Sequence, residues 1–225
     1  MDLVSEQDRA RIAEAIRRVE ARTSGEMVTV IAGRSDSYLW IPLLWASLGA
    51  LLAPGIILYL PYQWQWIMGS LGEGHDWAER VTLDHATVWA IQITVFLVLA
   101  LLLRWEPLKM LVIPRGVKHH RAGRAAREQF YVRGPCHSRD RTGVLFYVSA
   151  AERYVEVIAD QALSDRVEPE VWRRIVDDFV AHVRHERVAE GFIVAVGACG
   201  ELLARHFPRA PGDDSKRPDD LVVIE

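Results

Sequence analysis

The sequence predicts an α/β sandwich interrupted by an inserted two-helix transmembrane hairpin. Three observations carry that expectation. The stretch YLWIPLLWASLGALLAPGIILYLP (38–61) contains no charge. A second uncharged stretch, ATVWAIQITVFLVLALLL (86–103), follows it. On either side of the pair, helix-like and strand-like periods alternate, as they do where helices pack on a sheet.

The first segment, near residues 6–22, reads as a helix. Ser5 caps it, with Asp8 at the third helical position in the manner of a capping box. Ile12, Ile16 and Val19 recur on one face. TSG (23–25) stops it, and EMVTVIAG (26–33) reads as a strand rich in β-branched residues. That strand has no partner nearby, because the hairpin follows at once.

A bilayer core of ~30 Å takes about 20 apolar residues to cross at ~1.5 Å each. Tyr38–Leu60 supplies 23 and Ala86–Leu103 supplies 18. The first run starts too late and is too long for a signal peptide, and no signal sequence is expected. Pro54 is expected to kink its helix, which a membrane tolerates. Seven of the eight Trp fall at 40, 45, 64, 66, 77, 89 and 105, around these runs, as aromatic belts do. The connecting loop, 61–85, holds one basic residue, Arg80, and four acidic ones. Residues 104–127 hold seven basic ones: Arg104, Lys109, Arg115, Lys118, Arg121, Arg124 and Arg127. Basic flanks stay on the cytoplasmic side, so both termini are expected there, with the loop outside. The partners this implies are the lipid bilayer and other membrane proteins. Nucleic acid is not expected, since topology already accounts for the basic stripe.

Partners for the first strand come later. A helix near Arg115–Tyr131 precedes Gly143–Ser149, a continuously apolar run of the kind found in a strand covered on both faces. AAER turns the chain into a second strand, Tyr154–Asp160, with Val155, Val157 and Ala159 on one side. Residues 168–187 read as a helix with Pro169 in its first turn and a buried stripe of Trp172, Ile175, Val176, Phe179 and Val183. Residues 188–207 read as a buried helix rich in Gly and Ala, too short in its uncharged core for a third span. LVVI (221–224) is either an edge strand or a flexible end. One domain is therefore expected from 1–36 and 107–210. The hairpin is expected at 37–106 and a polar tail at 211–225.

The candidate site residues are acidic: Asp160 at the end of the second later strand, Glu152 in the turn before it, and Glu26 opening the first strand. Ligands in α/β sheets gather beyond strand C-terminal ends, which is the reason for singling out Asp160. Hard carboxylate oxygens suit calcium or magnesium. Asp178, His182 and His185 share helical spacing and could in principle hold zinc, but a solvated face is the plainer reading. Glu73, His75, Asp76 and Glu79 read as a solvated acidic loop. The catalytic residues are unknown: Ser149 stands in VSAAE, which is no nucleophile elbow, and no phosphate loop is present. The two cysteines, Cys136 and Cys199, have no metal or redox spacing, and a reduced compartment fits them.

TSGEMVTVIAG, TGVLFYVSAAERYVEVIADQALSDRV, VWRRIVDDF and GFIVAVGACGELLARHFP resemble, in order and spacing, the TPM domain family. The likeness is to a bacterial membrane-bound subgroup with a hairpin after the first strand. It implies a small α/β/α sandwich on three or four strands, and it also directs the metal expectation to Asp160. Some members are acid phosphatases, some bind calcium, and some are accessory factors for membrane complexes. Those members usually carry a signal sequence, and ADQAL lacks the glycine-rich step common after that strand. The expected function is thus an inner-membrane-tethered cytoplasmic accessory module. The alternatives are a divalent-metal-dependent acid phosphatase and a membrane sensor.

Overall fold

The structure, a computed structural model, describes residues 4–70, 84–133, 142–209 and 221–224. Cys136, the acidic residues Glu73, Asp76 and Glu79, and His75 lie outside the described residues. The chain divides into two compact units. One joins Met1–Asp36 to Arg115–Glu225, and the other is Ser37–Pro114.

The first unit is built on a four-stranded sheet in the order β3-β2-β1-β4. Its strands are β1 (Glu26–Ala32), β2 (Gly143–Ser149), β3 (Tyr154–Ala159) and β4 (Val222–Ile224). β1 pairs in parallel with β2, from Glu26↔Gly143 to Ala32↔Ser149, and in parallel with β4. The AAER turn is a hairpin, so β3 runs antiparallel to β2. Its Arg153 adopts a positive φ of 51°. The last residues of the expected tail are thus an edge strand.

Both faces of the sheet are covered. Met27, Ile31, Val144 and Phe146 point into a core with α1 (Glu6–Glu20), α7 (Pro169–Arg184) and α8 (Val188–His206). Phe146, Phe179 and Phe192 meet edge to face there, at centroid distances of 4.8 to 5.6 Å. Val28, Val30, Leu145 and Tyr147 point the other way, against Ala126 and Phe130 of α5 (Arg115–Arg133). The alternation follows from the two-residue period of a strand. It also explains why β2 reads as continuously apolar.

Ser5 caps α1 as expected: its Oγ accepts from the Asp8 N–H at 3.1 Å and donates to the Asp8 carboxylate at 2.8 Å. The TSG stop is a close approach. Thr23 Oγ donates to the Phe207 carbonyl at 2.7 Å, and a Cβ on Gly25 would lie 2.6 Å from Leu203 Cδ2. Val183, expected in the buried stripe of α7, is exposed: in the last turn it is the neighbouring His182 that lies close to α8, at Gly191. A short helix, α6 (Gln161–Ser164), follows β3.

The second unit is helical: α2 (Trp40–Ser70), α3 (His85–Leu102) and α4 (Glu106–Val112). α2 is longer than its expected apolar run, continuing through Pro54 and Pro61 to Ser70. An interior proline removes a backbone donor and crowds the carbonyl four residues before it, a cost that membrane helices tolerate. The expected loop at 61–85 is shortened accordingly. α2 and α3 are both long and apolar enough to cross a membrane. They pack on one another through small residues. Ala46 and Ala50 are buried, and a Cβ on Gly49 would lie 2.4 Å from Leu99 Cδ1. The buried Lys109 is neutralised by Glu106 at 2.8 Å.

Candidate functional site

The parallel strands β1 and β2 end side by side at Ala32 and Ser149, the edge at which α/β sheets gather ligands. Two backbone bonds continue the pairing past that edge, from Ala150 N to Ala32 O (3.0 Å) and from Ala151 N to Gly33 O (3.1 Å). They bring the β2–β3 turn against the segment leaving β1. Glu152, in the turn, is only 3% exposed. Its Oε1 accepts the Ser35 N–H at 3.1 Å, and its Oε2 accepts a short bond from Ser149 Oγ.

A chain of hydroxyls feeds this carboxylate. Ser35 Oγ donates to Ser149 Oγ at 2.8 Å. Its one proton is thereby used, so Tyr147 Oη, 2.9 Å away, is the donor to Ser35. The order is Tyr147, Ser35, Ser149, Glu152, with every hydroxyl pointing toward the charge, and such chains polarise each bond in turn. Burial raises the Tyr147 phenol above its ordinary value and the Glu152 charge adds to the rise, while the bond to Ser35 opposes it. Next to Ser35, Asp36 forms a short ion pair with Arg121 of α5.

This arrangement locks two loops together. Ser149 and Tyr147 are each 1% exposed. A hydroxyl so buried, with its proton committed to a carboxylate, does not meet a substrate as a nucleophile. The sequence singled out Glu152 but missed Ser35, Tyr147 and the role of Ser149. Ser35 lies 117 positions from Glu152, and no local pattern announces the pairing.

The other acidic candidates lie elsewhere. Because β3 is antiparallel, Asp160 sits at the opposite edge from the ends of β1 and β2, beside Gly143, whose carbonyl accepts its N–H at 2.8 Å. The argument from strand C-terminal ends therefore points to Glu152 and not to Asp160. Asp160 caps α6, its Oδ1 accepting from Gln161 N at 2.7 Å; its Oδ2 is buried without a hydrogen bond. Glu26, paired across from Gly143, shares that edge but stands two strand spacings from Asp160, roughly 10 Å. Glu152 is a full strand length away, roughly 20 Å. Calcium takes six to eight oxygens, so the three carboxylates do not fit calcium or magnesium as one set. Among the described residues no three His, Cys, Asp or Glu side chains form a metal-holding group. That includes Asp178, His182 and His185; His182 Nδ1 instead meets the Asp178 carbonyl at 2.7 Å.

On the α5 face of β3, Tyr154 Oη donates to Glu156 at 2.9 Å, and its phenol is pushed up to about 12 by burial and by the Glu156 charge. Gly123 lets α5 approach, since a Cβ there would lie 3.0 Å from that Oη.

The profile of the TPM domain family matches residues 113–202, from the start of α5 into α8. No curated protein matches the chain. Among solved structures, the chain resembles the NMR structure of BA42 protein from the psychrophilic bacterium Bizionia argentinensis. The identity is 13%, 98% of this chain and 94% of that one are covered, and the TM-score is 0.54. At that identity the likeness concerns the fold, a mixed sheet flanked by helices. The matched stretch, residues 113–202, contains or overlaps three of the four segments that carried the resemblance, and over it the chain is similar to the TPM domain family.

Proposed function

We propose that the chain is a membrane-tethered TPM domain protein whose domain faces the cytoplasm and serves other membrane proteins as an accessory module. The observation that carries the tether is the outward-facing apolar surface of α2 and α3. α3 buries none of its residues; Leu97 and Leu101 are 60% and 72% exposed. Apolar surface on this scale marks contact with lipid or protein. The eighteen residues of α3 reach ~27 Å, close to the thickness of a bilayer core. Trp40 and Trp105, both exposed, mark the two helix ends that the basic residues assign to the cytoplasmic side.

An accessory role is favoured over phosphatase chemistry because Ser149 is inaccessible and the acidic candidates stand apart. The topology is tested with a reporter active only outside the cytoplasm. Fused after Asp76 it should be active, and fused after Glu225 inactive; the opposite pattern overturns the assignment. Hydrolysis of p-nitrophenyl phosphate by the purified chain with calcium or magnesium, above the uncatalysed rate, would replace the accessory reading with the enzymatic one.

A further inference from the structure

Within the helical unit a groove of about 310 Å³ runs between Ser47, Ala50 and Leu51 of α2 and Trp89, Gln92 and Ile93 of α3. Gln92 is out of place there. It is the eighth residue of α3, about 10 Å from one end and 15 Å from the other, hence near mid-depth of a spanning helix. Its side-chain amide makes no hydrogen bond among the described residues. Ser47, across the groove, donates instead to its own helix, to the Leu43 carbonyl at 2.8 Å. An amide without a partner in hydrocarbon is costly, and helices in membranes associate to supply one.

We infer that two copies of this chain dimerise in the bilayer through α3, with their Gln92 amides bonded reciprocally across a two-fold axis. The inference rests on the membrane reading above. An amide carries a positive N–H edge and a negative oxygen, so its partial charges are complementary to those of a second amide. Lipid tails offer neither, and an unrelated helix would need a polar group at the same depth. A second copy brings one there by symmetry, and an isologous contact forms both bonds at once. Trp89, Gln92, Ile93 and Phe96 share one side of α3 by their three- and four-residue spacing, so the amide sits inside an apolar stripe.

The test uses the full chain, labelled at its C-terminus with donor or acceptor dye and reconstituted into neutral phosphatidylcholine vesicles. Energy transfer should exceed that of randomly distributed chains and fall on dilution with lipid. Gln92→Leu, which is more apolar and should insert at least as well, should require about tenfold higher chain density for the same transfer. Gln92→Asn, a shorter amide, should fall between them. Random transfer in the parent, or equal transfer in parent and Gln92→Leu, overturns the dimer. Flotation separates the two levels of failure. Chains that float with the vesicles but remain monomeric overturn the dimer alone, and chains that do not float overturn the membrane reading with it.

Discussion

Glu152 shows what one buried carboxylate does in this fold. It gathers a backbone N–H and a hydroxyl that would otherwise lack an acceptor, and so ties the β2–β3 turn to the chain leaving β1. Glu152→Leu should cost about 1–3 kcal/mol for each donor left unpaired, while Glu152→Gln, which keeps an acceptor oxygen, should cost less. Thermal unfolding of the full chain in detergent micelles checks the order; equal losses would mean that the hydrogen bonds do not form the lock. Tyr154 gives a pH-dependent counterpart. Its phenol titrates at about 12 when folded and at its ordinary value near 10.0 when unfolded. A raised folded value means that its contribution is whole below pH 10 and is lost as pH rises through 12. The stability difference between the parent and Tyr154→Phe should therefore close over that window, and a constant difference would contradict it. The capping box at Ser5 was legible because its two residues lie three apart. The pairing of Ser35 with Glu152 was not, because the inserted hairpin separates the two in sequence.

Helices and strands were legible where a period or a stop residue marked them. β1, β2 and β3 stand where β-branched runs put them, and Val155, Val157 and Ala159 face one core together. One element-level expectation, the loop beginning at residue 61, gave way. α2 runs past Pro61 to Ser70, as proline-containing helices can where a membrane surrounds them. Asp160 closes β3 as expected, and the tight AAER turn places it at the opposite end of the sheet from Ala32 and Ser149. The glycines of α8 permit a paired test. A Cβ on Gly200 would lie 2.4 Å from Val19 Cγ2 of α1, whereas Gly197 has open space. Gly200→Ala should destabilise the domain by about 1–3 kcal/mol through overpacking. Gly197→Ala should stabilise it by up to about 1 kcal/mol through helix propensity. Melting temperatures moving in opposite directions support the packing described, and the same direction for both would refute it.

At the scale of the molecule, one α/β domain is assembled from both sides of the inserted helices. β1 comes from before the insertion, yet it is a central strand, with β2 on one side and β4 on the other. The residues after the insertion leave that place in the sheet empty. α1 likewise contributes Ile12 and Ile16, both essentially unexposed, to the larger core. Sequence order alone suggested this split, because the first strand had nowhere local to pair. The most direct test replaces residues 37–114 with a short flexible linker and follows unfolding in urea. The expected result is a soluble protein with a single cooperative transition, and a chain of residues 115–225 alone that shows none. An equally stable, cooperative transition from residues 115–225 alone would contradict it.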